Sequence, residues 1–171
     1  MIDHSENALR AVIKSLRDVV APAVDPGDPM AQEQLALSLG TLEFLHSRLD
    51  RSDARARFEL RARLHLARGL HVVLPSGSVQ MAEAMEQAEG LLGNVDAQVA
   101  ELRAASARLG AVVAQVMASE VDAEVRTAME TAVLDGSEAL VEFERSWYRP
   151  LGFDPHPESI RSLDDILGAR G

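Results

Sequence analysis

Arg57, Arg61 and Arg68 fall on one face of a predicted helix, and their type and spacing suit recognition of an anion. A guanidinium presents planar, paired donors to a carboxylate or phosphate and stays charged throughout the physiological pH range. The three belong to a cluster of seven arginines between Arg48 and Arg68, out of sixteen in the chain, whereas the sole lysine is Lys14. Set against Asp50, Asp53 and Glu59, the cluster leaves its segment at +4 in a chain of net charge −10. From Val79 to Trp147 the balance reverses, with thirteen acids against four arginines. The default expectation is a salt-bridged seam between helices, with Glu83, Glu86 and Glu89, or Asp135, Glu138 and Glu142, as partners. The alternative is an open face that binds a phosphate, carboxylate or acyl/CoA-like ligand through Arg57, Arg61 and Arg68, with His71 nearby on the same helix.

A second pattern is Glu43-x-x-His46, which sets a carboxylate and an imidazole near one another on a helix. Di-iron carboxylate bundles use that motif twice, with an inward Glu from each of two further helices. Here it does not recur: Ala62 stands three residues before His65, and Arg68 three before His71. Glu43 and His46 are therefore weak metal candidates, no cofactor is expected, and His46 and His71 read as core histidines with hydrogen-bond partners. Pro75-Ser76-Gly77-Ser78 matches neither a phosphate-binding loop nor a nucleophile elbow and reads as turn and N-cap chemistry. The absence of cysteine excludes thiolate nucleophiles, iron-sulfur ligation and disulfides.

The elements that must position these residues are helical throughout, because apolar residues recur at helical spacing and no sustained strand alternation occurs. Leu9, Val12, Ile13, Leu16, Val19 and Val20 form the stripe of a first helix opened by Asp3 and stopped by Pro22. Asp28 caps a second helix with Pro29 in its first turn. This helix carries Leu35, Leu39, Leu42, His46 and Leu49 on one seam and Leu37 and Phe44 on another flank. A third runs from about Ser52 to Leu74 after a turn at 49–53, a hairpin that would set Glu43 beside Arg57 and Arg61. The fourth ends at Gly93-Asn94, and the fifth follows the heptad Val95, Val99, Leu102, Ser106, Leu109, Val113 and Val116. Ser119 and Asp122 open the sixth, whose inner positions include Val125, Phe143 and Trp147. A short amphipathic helix with Ile160, Leu163 and Leu167 follows Pro157.

The expected fold is all-α: an antiparallel, up-and-down helical bundle of about six helices, residues 1–149, with a Pro-rich extension, 150–171, whose short helix packs on the bundle or on a partner subunit. At 171 residues the chain can bury a substantial core without metals or disulfides. No catalytic constellation is present. The expected role is non-catalytic, acting through protein-protein association as a homodimer or with an accessory partner. The acidic balance disfavours nucleic acid. With no bilayer-length apolar run and with Asp3 and Glu6 ahead of any apolar segment, a soluble, cytoplasmic protein is expected, without membrane partners.

Overall fold

The computed structural model describes residues 4–74 and 78–168. Among these residues the chain is all-α, with seven α-helices: α1 His4–Ser15, α2 Pro29–His46, α3 Ser52–Val73, α4 Val79–Gly93, α5 Val99–Met117, α6 Ala123–Tyr148 and α7 Leu163–Gly168. None of the helices is long and apolar enough to cross a membrane. The expected cap at Asp3 and the turn residues Pro75, Ser76 and Gly77 lie outside the described residues. Two compact units emerge: Met1–Arg51 with Tyr148–Pro155, and Ser52–Trp147 with His156–Gly171.

The first unit is a helical hairpin. After α1 the backbone widens into a π turn at Leu16–Val20 and tightens into a 3-10 turn at Ala21–Ala23, where Pro22 removes a helix donor. Asp25 then turns the chain by accepting from the Gly27 amide at 2.8 Å. Asp28 caps α2, accepting from the Ala31 amide at 3.0 Å. Arg17 pairs with Glu43 across the hairpin, and Ile13 is buried. The Tyr148 ring stacks on Phe44 with centroids 5.6 Å apart. Beyond it the 3-10 turn Arg149–Leu151 packs on α2 and ends at Gly152, whose φ of 75° is a conformation that favours glycine.

The second unit contains the main core. Leu60, Leu64, Ala67 and Leu70 of α3 meet Met81, Ala84 and Ala88 of α4, Leu102, Ala105 and Leu109 of α5, and Met129 of α6. The alanines keep the helices close. Side-chain register shows that α4 runs antiparallel to α3, with Arg68 beside Glu89 at one end and Arg57 beside Asn94 at the other. α6 is also antiparallel to α3: Leu66 faces Gly136, Phe58 stacks on Phe143 at 4.3 Å, and the Arg55 guanidinium lies 4.5 Å from the Trp147 ring centroid. Gly136 is the point of closest approach, since a Cβ there would stand 2.7 Å from the Leu66 Cα. The C-terminal segment buries Ile160, Leu163 and Ile166, and Ser146 Oγ donates to the Arg161 carbonyl at 3.0 Å.

Two helix starts differ from expectation. Val95 does not open the fifth helix: it is 85% exposed and belongs to a turn in which the Asn94 side chain accepts from the Asp96 amide at 2.9 Å. α5 begins at Val99, with the Glu101 carboxylate accepting from the Gln98 amide at 2.8 Å. Ser119 does not cap α6. Its hydroxyl closes α5 by donating to the Val116 carbonyl, and Asp122 is the cap, accepting from the Val125 amide at 3.0 Å.

Candidate functional site

The arginine segment resolves into separate tasks. Arg55 bridges α3 and α6: Nε donates to Glu59 at 2.6 Å, Nη2 donates to Glu144 at 3.0 Å, and the plane covers Trp147. Arg57 pairs with Asp53 at 2.9 Å and donates to the carbonyls of Asn94 and Val95 at 3.1 to 3.2 Å. These carbonyls follow the end of α4, and that of Asn94 also accepts from the Ala97 amide at 3.3 Å, so Arg57 acts as a cap on this turn delivered from another helix. Arg68 pairs with Glu89 at 2.8 Å, as the seam expectation required, although both side chains are half exposed. Glu83, another expected partner, stands 3.9 Å from Arg108, and Glu142 pairs with Arg161 at 3.3 Å.

Arg61 is different. It is exposed and has no hydrogen-bond or ion-pair partner among the described residues. Arg61 and Arg68 line one open groove of about 640 Å³ in the second unit, together with His65. The three occupy positions i, i+4 and i+7, which one helix face brings into line. The groove floor is apolar, made by Phe58, Ala62 and Leu64 of α3, Leu92 of α4 and Ala139 of α6. Of the four residues expected to bind a ligand, then, Arg61 and Arg68 come together, while Arg57 is committed to the α4 end and His71 does not line the groove. His65 joins them at a spacing from Arg61 and Arg68 that is readable in the sequence.

Glu43 and His46 are not brought to a common ligand. Glu43 meets Arg17 rather than Arg57 or Arg61, while His46 Nε2 lies 3.8 Å from Glu6 Oε1. No cluster of three or more His, Asp or Glu side chains with metal-holding geometry occurs among the described residues. His46 Nε2 and His71 Nδ1 are buried without hydrogen-bond partners among those residues, against the expectation of satisfied core histidines.

Comparison with protein-family models, with curated proteins and with solved structures finds no match to this chain. The class defined by the fold is an all-α helical protein.

Proposed function

We propose that this is a non-catalytic binding protein that works by protein-protein association, with a second copy of itself as the first partner. The supporting observation is the outer face of α2. Its eighteen residues carry only Glu33, Glu43 and His46 as ionisable groups, and none of them is buried. Met30, Leu37 and Leu45 recur at i, i+7 and i+15 along one side of the helix, interleaved with Gln34 and Thr41; Met30 is 65%, Leu37 52% and Leu45 48% exposed. The inner seam of Leu35, Leu39 and Leu42 lies on the other side. Exposed apolar side chains that repeat along one side of a helix whose other side is also apolar mark an association surface.

Gly40 sits within this stripe with nothing within 4 Å of where its Cβ would be. A mid-helix glycine costs roughly 1 kcal/mol relative to alanine, and the open notch admits the backbone of another helix. Two copies of α2 related by a twofold axis would each fill the other's notch, the geometry of the commonest oligomers. A cytoplasmic setting accords with the absence of cysteine.

Light scattering coupled to size exclusion tests the reading. The parent chain should elute with twice its 18.5 kDa mass at micromolar concentration, and Leu37→Glu should halve that mass without loss of helix content. A parent chain that stays monomeric at the highest soluble concentration would sink it.

A further inference from the structure

We propose that the groove crossing α3 is a binding site for a small amphipathic carboxylate, one anionic head on an apolar body. This goes beyond self-association and rests on the second unit alone. The rim supplies the head contact. Glu89 already neutralises Arg68 at 2.8 Å, whereas Arg61 stands exposed, with no partner among the described residues, one helical turn from His65. Arg61 can take a carboxylate bidentately, and the His65 ring adds a donor on the same side.

The floor supplies the body contact. Ala62 and Ala139 face one another across the α3–α6 register, and their small side chains leave a hollow walled by Phe58 and Leu92. Its volume of about 640 Å³ falls within the range of ligand pockets, roughly 300–1,000 Å³. A mostly apolar hollow with a few convergent polar groups is the ordinary composition of such sites.

The same geometry disfavours a phosphate or nucleotide. The groove crosses the middle of α3, where backbone amides are already used within the helix, so no amide nest is available. The Glu89 carboxylate on the rim would also repel a dianion, while the Arg61 guanidinium balances a single negative charge.

Amide chemical-shift titration of the full chain with decanoate tests the site, with acetate and decyltrimethylammonium as head-only and charge-reversed probes. Decanoate should shift the resonances of Arg61, His65, Leu92 and Ala139, and both controls should bind at least about tenfold more weakly, the worth of one charge-assisted hydrogen bond or a few buried methylenes. Arg61→Ala should weaken decanoate binding by a similar factor. Ala139→Leu, at an exposed helical position, should abolish it by filling the hollow while the fold persists. The assignment is overturned if decanoate shifts nothing up to its solubility limit, if either variant binds it as the parent does, or if a control probe binds equally well.

Discussion

Replacing Gly136 by alanine should destabilise the second unit even though alanine is the better helix former. An added Cβ would lie 2.7 Å from Leu66 Cα, 2.8 Å from its Cβ and 3.0 Å from its Cγ, where carbon pairs prefer about 3.5–4.0 Å. The nearest obstacle is backbone, so no rotamer change relieves the contact, and α6 must retreat from α3 by about 1 Å. That retreat would loosen the Phe58–Phe143 stack and the Arg55–Trp147 contact in the same interface. Overpacking of this kind costs about 1–3 kcal/mol, against a helix-propensity gain of about 0.8–1.0 kcal/mol. The expected net loss is up to about 2 kcal/mol, or a melting temperature lower by up to about 8 °C. Urea unfolding followed by the fluorescence of Trp147, the only tryptophan and a resident of this interface, reads it directly. Gly69→Ala and Gly90→Ala, where nothing lies within 4 Å of the new Cβ, should each raise stability by up to about 1 kcal/mol. If Gly136→Ala stabilised as much as these two, the close α3–α6 crossing would be refuted.

Further outcomes follow from the arginine contacts and the C-terminal anchor. Arg57→Ala should cost about 1 kcal/mol by removing the guanidinium that ties the Asn94 and Val95 carbonyls to α3, and Arg57→Lys should recover only part of it in urea titrations, since an ammonium lacks the guanidinium fork that spans both. Arg68→Ala should change stability by no more than about 1 kcal/mol, because its pair with Glu89 is half exposed. Ser146→Ala should cost about 1 kcal/mol and speed hydrogen exchange in α7, whose approach the Ser146–Arg161 bond fixes.

Much of the fold was legible because its signals are local. Pro22, Asp28 with Pro29, and Gly93-Asn94 punctuate the chain where the helices stop and start, and the heptad of the fifth helix includes its buried Leu102, Ser106 and Leu109. The misses are cases where a partner remote in sequence decides. Val95 continues the heptad of α5, yet the Asn94 turn and the Arg57 guanidinium hold it outside. Backbone carbonyls leave no trace in composition, so the capping role of Arg57 could not be read from its neighbours. Glu43 was set beside Arg57 and Arg61 on the assumption that consecutive helices pair, whereas Arg17 of the preceding element claims it. No Gly or Pro marks the first passage of the chain between the units, which falls at the 3-10 turn Leu49–Arg51. Of the candidate site, Arg61 and Arg68 are legible as a shared helix face, whereas His65, which completes their spacing, carries no charge pattern that singles it out.

The central claim is that the outer face of α2 associates with a second copy of itself. Because the chain has no cysteine, a single spin label can be introduced at exposed Ala36 through Ala36→Cys, outside the row of Met30, Leu37 and Leu45. Double electron-electron resonance on that labelled chain should show one narrow intermolecular distance that disappears when Leu37→Glu is added. A background decay with no dipolar modulation at concentrations of tens of micromolar, or a distance unchanged by Leu37→Glu, would contradict it.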